Sequence, residues 1–398
     1  MKEGVYMKIL SVNAGSSSLK FQLYEMPEEI ALISGVFERI GIDNSFYTIK
    51  FNGEKIKKEV ELPTHKVAFE LLIKELIDLG LVKSLDEIKG VGHRIVQGGS
   101  YFDRTVVVDE DVVSKIDELS ALAPLHNPAA IVGIRASQEV MPNAVQTVVF
   151  DTAFHQTMAE ETYMYALPYE WASDYKIRRY GAHGTSHKYV SARMNEILGR
   201  NNTKLITCHI GNGASISAVK DGKCINTSMG LTPNAGLIMG SRCGDIDATI
   251  VPYMMDKLKI NSKEMDTILN KESGLLGISG VSSDSRDIEE GISKGNHRCE
   301  LAQKMYVRRI IDYIAKYYVE LGGCDAIIFT AGVGENSIST RREVLDGLSV
   351  LGVKVDEERN NVRGKETLIT SDDSTIPAYI VPTDEELMIA RDTYNLCI

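Results

Sequence analysis

Two distant segments of this chain repeat one pattern: a strand-like run, a turn of small residues and a second strand-like run. The first runs from Lys8 to Val12, turns through Asn13 to Ser18 and continues from Leu19 to Tyr24. The second runs from Leu205 to Ile210, turns through Gly211 to Ser215 and continues as an alternating strand. Alternation of apolar and polar residues is typical of a half-buried strand in a hairpin. A hairpin that recurs in this way predicts two structurally related halves.

Composition excludes several classes of protein. The chain has 398 residues, enough for two domains that each bury a hydrophobic core, and its 43% hydrophobic and 25% charged residues are ordinary for a globular protein. The formal net charge of -11 disfavours nucleic acid as a partner, because phosphate backbones attract basic surfaces. The first ten residues contain no apolar run of the length of a signal-peptide core, and no stretch of the chain approaches the length of a membrane span. The six cysteines are dispersed without a metal or redox motif. We therefore expect a cytoplasmic protein with inert thiols and no membrane partner.

Helix-like and strand-like segments alternate along the rest of the chain, which predicts an α/β fold. Capping signals place helices after Pro63-Thr64 and at Asn127-Pro128, with Asn127 as the N-cap, and a last helix opens with capping-box spacing at Thr383 and Glu386. Further predicted elements are helices from Ser186, as the cap, to Leu198 and from Glu300 to Leu321, and strands Val145 to Phe150 and Ala326 to Thr330. The strand ending at Phe150 places Asp151 at the edge where open sheets hold ligands.

Glycine- or serine-rich turns follow several of the predicted strands. They are Asn13 to Ser18, Gly211 to Ser215, Gly332 to Asn336 and the stretch around Gly240 to Gly244. Successive backbone N–H groups in such turns form concavities that bind anions. Gly211-x-Gly213 and Gly332-x-Gly334 lack the third glycine of a dinucleotide fingerprint, and neither GxxxxGK[ST] nor GxSxG occurs. These absences disfavour a Rossmann dehydrogenase, a Walker-type ATPase and a serine hydrolase.

Charged residues stand beside small turns in several places. Arg94, Asp151, His183, Arg242 and Glu385 all have this setting. Transfer of a phosphoryl group requires positive charge around three equatorial oxygens and a metal ion held by carboxylates. Arginines, a histidine and carboxylates supply both requirements, so the sequence favours a phosphotransferase.

Ten segments resemble the acetate kinase (acetokinase) family, in order and across essentially the whole chain. They are NAGSSSLKFQ, GHRIVQGG, PLHNPA, FDTAFHQT, RRYGAHGTSHKYV, CHIGNGAS, NTSMGLTP, SRCGDID, FTAGVGENS and PTDEELMIARDT. The resemblance implies a two-domain actin-like ATPase (ribonuclease H-like) fold with a duplicated core, an active site in the interdomain cleft and a homodimer as the working unit. It implies a carboxylate- and phosphate-side domain of residues 1–152 plus 385–398, and a nucleotide-binding and dimerisation domain of residues 153–384.

The implied reaction is reversible in-line phosphorylation of acetate, or another short carboxylate, by ATP to give acetyl phosphate and ADP. Carried over by position, the resemblance assigns catalytic roles to Arg94, Asp151, His183, Arg242 and His126. Arg94 and Arg242 would hold the carboxylate and the transferring phosphoryl group, for which a planar guanidinium is suited. His183 would donate a hydrogen bond to a phosphoryl oxygen, and His126 would support that region.

The resemblance also implies binding sites for the metal, the nucleotide and the acid. Mg²⁺, with Mn²⁺ as the alternative, would be placed by Asn13, Asp151 and Glu385. The nucleotide would be held by Asn13, Ser16, Ser18, Lys20, His209, Gly211, Asn212, Gly213, Asp284, Arg286, Gly332, Gly334 and Asn336. The acid would bind at Arg94 and at an apolar pocket formed by Val96, Leu125, Ala182 and Pro233.

The chain departs from the family pattern at position 182, where Ala182 stands in place of the usual phenylalanine. The smaller side chain predicts readier acceptance of propionate or longer acids than in typical relatives. Gln97, Ala235, Ala248 and Ser285 also replace usual residues, and the sequence assigns them no role. Two alternatives therefore stay open: a propionate or butyrate kinase of the same fold, and a nucleotide-binding relative that has lost transfer.

Overall fold

The computed structural model describes residues 5–124 and 126–398, and the chain divides into two compact units. The first comprises the described residues up to Phe154 together with Asp384–Ile398. The second is His155–Thr383. Within the described residues, no helix combines the length and apolar character needed to cross a bilayer.

The first unit is built on one mixed sheet. In chain order its strands are β1 (Met7–Gly15), β2 (Ser18–Met26), β3 (Ile30–Glu38), β4 (Phe46–Phe51), β5 (Glu54–Glu59), β6 (Ile88–Ile95), β7 (Val106–Val107) and β8 (Val145–Phe150). Their order across the sheet is β5-β4-β3-β2-β1-β6-β8-β7. β1 to β5 form an antiparallel meander, whereas β6 and β8 run parallel to β1.

Helices cover this sheet and complete its core. They are α1 (His65–Asp78), α2 (Glu110–Glu118), α3 (Asn127–Val140) and, from the last segment, α15 (Glu385–Cys397). Thr64 caps α1, since its side chain accepts from the Val67 N–H, and the helix predicted after Pro63-Thr64 is confirmed. Leu10, Leu19, Phe69 and other apolar side chains of β1, β2 and α1 form the largest buried cluster of the unit.

The second unit carries its own mixed sheet. Its strands are β9 (Lys204–Ile210), β10 (Ala214–Lys220), β11 (Lys223–Thr227), β12 (Ala326–Thr330), β13 (Thr367–Leu368) and β14 (Ala378–Ile380), in the order β11-β10-β9-β12-β14-β13. β9, β10 and β11 are antiparallel, and β12 and β14 run parallel to β9. The order β3-β2-β1-β6-β8 in the first unit has the same topology, so the prediction of two related halves is confirmed.

The helices of the second unit pack around this sheet. They are α4 (Glu160–Tyr163), α5 (Glu170–Tyr175), α6 (Gly184–Leu198), α7 (Ile250–Leu258), α8 (Ser262–Lys271), α9 (Gly274–Ser279), α10 (Ser285–Ser293), α11 (His297–Leu321), α12 (Ala331–Asn336), α13 (Ile338–Gly347) and α14 (Glu357–Asn360). Along the whole described chain, in both units, short 3₁₀ turns lie at Leu85–Glu87, Leu119–Ala121, Ala153–Thr157 and Ser349–Leu351. The long helix α11 buries Tyr306, Ile310 and Tyr317 in the core.

Three predicted helix caps were wrong by one to three positions. Asn127 lies inside α3, whose N-cap is His126, because the Asn127 side chain bonds Gln97 instead. Ser186 lies inside α6, whose N-cap is His183. The last helix is capped by the Asp384 side chain, which accepts from the Leu387 N–H.

Candidate active site

The three parallel strands of the first unit bring polar groups to one edge of the sheet. Asn13 lies near the end of β1, Arg94 near the end of β6, and Asp151 directly after β8. Because β6 and β8 are neighbours in register, Arg94 and Asp151 meet. The Arg94 Nε and Nη2 donate to Asp151 Oδ1 and Oδ2 at 3.0 and 2.7 Å, a bidentate pair in which the carboxylate is buried.

Glu385 lies in the first turn of α15, close enough to this pair to interact with it electrostatically. Burial raises the pKa of Glu385 above its ordinary value; Asp151 and Glu386 add to the rise, and Arg94 and Lys20 oppose it. Asp151 beside Arg94 in turn raises the pKa of the guanidinium. The buried Oε1 of Glu385 has no hydrogen-bond partner among the described residues. An unpaired buried carboxylate oxygen beside a second carboxylate is a setting that suits a bound cation.

The described residues contain no group of three acidic, histidine or cysteine side chains that would by itself enclose a metal ion. Mg²⁺ commonly binds through one or two carboxylates, with substrate phosphates and water completing its shell. Asp151 and Glu385 therefore fit a nucleotide-bound magnesium ion.

The other predicted residues of the first unit occupy different settings. Ser16 is exposed in the hairpin turn, and Ser18 begins β2. Lys20 pairs with Asn13 across the hairpin register, and its ammonium group forms an ion pair with Glu386. The structure therefore gives Lys20 a structural partner.

Three more predicted residues of this unit lie further along the chain. Val96 follows β6 and is half-buried, and His126 is exposed at the start of α3. Leu125 lies outside the described residues.

In the second unit, His183 and Arg242 face one small space. His183 caps α6 with a left-handed backbone, φ 59°, and Arg242 projects from the loop between Gly240 and Gly244. A Cβ placed on Gly213 would lie 3.6 Å from His183 Nε2 and 3.5 Å from Arg242 Nη1. Two nitrogen groups thus flank a position that only glycine leaves open, an arrangement that can hold an anionic oxygen.

Contacts around this pair fix its orientation. Arg242 Nη1 donates to the Pro233 carbonyl at 3.0 Å, and burial lowers the pKa of the guanidinium. The rings of His183 and His209 stack with centroids 4.0 Å apart. Ala182 is buried within the apolar core of this unit, and its carbonyl contacts His155 Nε2 at 3.0 Å.

A cavity of about 610 Å³ lies within the second unit. Predicted residues that line it are Gly211, Asn212, Asp284, Arg286, Gly332 and Asn336. Its volume is within the range of about 300–1,000 Å³ typical of small-ligand pockets. The cavity is therefore the candidate nucleotide site.

Asp284 and Arg286, which line this cavity, form an ion pair. Asp284 caps α10 by accepting from the Arg286 N–H, and the Arg286 guanidinium bonds both of its carboxylate oxygens. This pairing holds the pKa of Asp284 at about 2. Gly213, Gly334 and His209 do not line the cavity, and Ser285, which the sequence left without a role, does.

Gly240 and Arg341 also shape this region, and the sequence did not assign either of them to the nucleotide site. A Cβ on Gly240 would lie 1.7 Å from Asn212 Oδ1, so only glycine permits this contact. Arg341 is fully buried and donates to the Gly334 carbonyl at 3.0 Å and to Asn360 and Val362, which ties α12 to residues 360–362.

The chain matches the model of the Acetokinase family over residues 8–391. The chain belongs to the acetokinase family. Acetate kinase from Geobacillus sp. (strain WCH70) is 53% identical over 391 residues, which are 98% of this chain and 98% of that one. The crystal structure of Porphyromonas gingivalis acetate kinase superposes with a TM-score of 0.94 at 45% identity, covering 98% of this chain and 100% of that chain. The crystal structure of a propionate kinase from Francisella tularensis subsp. tularensis SCHU S4 superposes with a TM-score of 0.92 at 43% identity, covering 98% of this chain and 99% of that chain.

Membership in the acetokinase family accounts for the fold. The two sheets with one topology are the duplicated α/β cores of a two-domain actin-like ATPase fold, as the sequence predicted. The family also makes the chain a phosphotransferase whose acceptor is a carboxyl group.

Proposed function

We propose that this chain phosphorylates acetate, transferring the terminal phosphoryl group of ATP to give acetyl phosphate and ADP in a reversible reaction. The observation that carries the proposal is the convergence of His183 Nε2 and Arg242 Nη1 on the space in front of Gly213. Two donors around one small volume suit an oxygen of the transferring phosphoryl group, whose charge is spread over three equatorial oxygens. The 53% identity to an acetate kinase supports acetate as the acid.

In the proposed mechanism no protein side chain forms a covalent intermediate. A carboxylate oxygen of the acid attacks the terminal phosphorus in line, the new P–O bond forms as the bond to the ADP oxygen breaks, and ADP leaves with that electron pair. Arg94, oriented by its bidentate contact with Asp151, would hold the carboxylate. His183 and Arg242 would donate to the phosphoryl oxygens, so that positioning and charge stabilisation lower the barrier.

The proposal includes Mg²⁺ and a division of work between the units. Asp151 and Glu385 would hold Mg²⁺, directly or through water, and Asn13 at the same sheet edge would assist. Magnesium would neutralise charge on the nucleotide phosphates. The domain of residues 1–152 plus 385–398 would serve the carboxylate and metal, and that of residues 153–384 the nucleotide and dimerisation.

A homodimer in the cytoplasm is part of the same proposal. Helix α7 buries none of its residues although it carries Ile250, Tyr253 and Leu258, and Trp171 is also largely exposed. Apolar helix faces of this kind are typical of surfaces that another protein covers. Free thiols in the described part of the chain support a cytoplasmic location. Light scattering at micromolar concentration should give the mass of a dimer, and Tyr253→Asp should shift it towards the monomer.

One experiment tests the activity directly. Acyl phosphate formed from ATP and acids from formate to valerate is trapped with hydroxylamine and measured as the hydroxamate. We expect product with acetate and a loss of about 100-fold in Arg242→Ala, the cost typical of removing one such donor. Arg308→Ala is the matched control because Arg308 is exposed on α11, where its side chain forms an ion pair with Asp312. No product with any acid would favour the non-catalytic nucleotide-binding alternative.

The second candidate, a propionate or butyrate kinase, rests on Ala182. A small residue at this position would leave room for a longer acid. The same assay decides between the candidates, since a rate on propionate or butyrate above that on acetate would favour the second.

A further inference from the structure

Three buried residues connect His183 to the interior of the second unit. His183 Nδ1 lies 2.9 Å from Ser215 Oγ, which lies 2.7 Å from His187 Nε2. His187 Nδ1 lies 2.7 Å from Thr207 Oγ1. His187, Ser215 and Thr207 have no exposed surface, so water does not compete for these contacts. We call this series of contacts the histidine relay.

Secondary structure places the members of the relay. His183 and His187 are four residues apart at the start of α6, so their side chains lie on the same face of the helix. Ser215 belongs to β10 and Thr207 to the adjacent strand β9. The packing of α6 against the hairpin of β9 and β10 therefore places the two imidazole rings and the two hydroxyls in one continuous series of hydrogen bonds.

The number of protons in the relay restricts its hydrogen bonds. Burial, with His155 and His209 nearby, keeps the pKa of His187 well below its usual range, so the ring is neutral and carries one N–H. Both of its nitrogens face hydroxyls. His187 must accept from one hydroxyl and donate to the other. The direction of the bond at Thr207 thus sets the direction at Ser215.

The distances at Thr207 select that direction. Its hydroxyl is 2.7 Å from His187 Nδ1 and 3.4 Å from the Ser217 carbonyl, and the second distance is long for a hydroxyl donor. The proton therefore goes to His187 Nδ1. His187 Nε2–H then donates to Ser215, and the Ser215 hydroxyl donates to His183 Nδ1.

The other nitrogen of His183 faces the space in front of Gly213. Arg242 Nη1 faces the same space, and the His209 ring stacks on the His183 ring. A neutral ring can donate to an anion there only if its single proton is on Nε2.

We propose that Ser215 and His187, with Thr207, are positioning residues that hold His183 as the neutral Nε2–H tautomer, ready to donate to an oxygen of the transferring phosphoryl group. The proposal rests on the proposed function for the role of His183. The opposite tautomer would present a lone pair to the anion and would oppose binding. The relay would thus supply the correct donor without protonation of the ring.

The tautomer can be measured without reference to activity. Nitrogen NMR of the full chain labelled with ¹⁵N-histidine at neutral pH distinguishes a protonated from an unprotonated Nδ1, and His183→Gln assigns the signal. We expect an unprotonated Nδ1 and a protonated Nε2 at His183 in the wild type, with the preference weakened in Ser215→Ala. A wild-type His183 protonated on Nδ1, whether neutral or cationic, would overturn the proposal. This result stands whether or not the chain proves to be an acetate kinase.

Kinetics provide the second readout. Ser215→Ala should lower kcat about 10- to 100-fold, since misplacing a catalytic group costs rates of this order, with KM for ATP and acetate little changed. Ser215→Thr keeps the hydroxyl and should restore much of kcat. Ser217→Ala is the matched control: Ser217 is equally buried on β10, but its hydroxyl donates to Thr227 at 2.9 Å. Equal losses in Ser215→Ala and Ser217→Ala would indicate a merely structural effect and overturn the relay.

Discussion

Replacing Gly213 by alanine would put a methyl group between the two donors that we assign to the phosphoryl oxygen. The new Cβ would lie 3.5 Å from Arg242 Nη1 and 3.6 Å from His183 Nε2, distances of ordinary van der Waals contact. The Gly213 backbone is outside the left-handed region, so alanine is not strained there. The substitution should therefore leave the fold intact and fill only the space that the anion needs.

The expected loss follows from the hydrogen bond that the methyl group prevents. An oxygen that accepts from Arg242 or His183 would sit about 2.8 Å from the donor nitrogen, in the volume that the methyl group would fill. One hydrogen bond to a charged group contributes roughly 1.5–3 kcal/mol, and each 1.36 kcal/mol is about tenfold in rate. We expect kcat/KM for acetate to fall roughly 10- to 150-fold.

The assay is hydroxamate formation from ATP and acetate by Gly213→Ala, Arg242→Ala and the double variant, with urea unfolding of each. Because Gly213→Ala and Arg242→Ala disturb the same interaction, their effects should be far from additive. Gly213→Ala activity within about threefold of wild type, at unchanged stability, would refute the reasoning. A methyl group and a phosphoryl oxygen cannot occupy the same space, so the oxygen would then have to bind elsewhere.

Three further changes test other parts of the structure. Burial lowers the pKa of His93 to about 4, so at pH values between this pKa and the ordinary one the unfolded chain binds a proton that the native state does not. The free energy of unfolding should therefore fall by roughly 3 kcal/mol as the pH drops through this range. Urea titrations should find a smaller loss in His93→Asn. Arg341→Met removes the donor to the Gly334 and Val362 carbonyls, and should cost about 3 kcal/mol of unfolding free energy and raise KM for ATP about tenfold. An unchanged KM for ATP would contradict the assignment of α12 to the proposed nucleotide site. Ala182→Phe should reduce rates on C3 to C5 acids about 10- to 200-fold relative to acetate, and a wild type that already disfavours these acids as strongly would exclude Ala182 as the determinant.

Local pattern was sufficient for the strands and insufficient for their ends. The alternation in Leu19 to Tyr24 predicted the first hairpin, but the ladder continues through Ala14↔Leu19 to Gly15↔Ser18 and leaves a turn of Ser16 and Ser17. Small residues do not interrupt a ladder that backbone hydrogen bonds maintain. Ser186 was predicted as a cap because of its hydroxyl, yet that hydroxyl contacts His209 and Thr383, which are distant in sequence. Such contacts outweigh local capping preference.

Some candidate site residues could likewise be proposed from local sequence pattern, whereas others depend on contacts that are distant in sequence. Arg94, Asp151 and Glu385 could be proposed from the sequence because each stands at the end of a strand or the start of a helix, where side chains meet ligands. Arg341 could not be found, since an arginine in a polar helix segment is normally exposed and its partners lie near residues 334 and 360. The four-residue spacing of His183 and His187 was a visible signal for the relay, although the hydroxyls between the rings were not.

The segment Asp384–Ile398 belongs to the first unit but is translated after all of the second. Its helix is joined to that unit by Thr393 with Thr147, Asp392 with Thr105, and Arg391 with Glu29. Domains generally fold in the order of their synthesis on the ribosome. The core of the first unit therefore stays incomplete until Glu385 and its helix emerge from the ribosome. A nascent chain therefore acquires Glu385, the second carboxylate that we propose for the metal, only with this helix, and a prematurely terminated product would lack it.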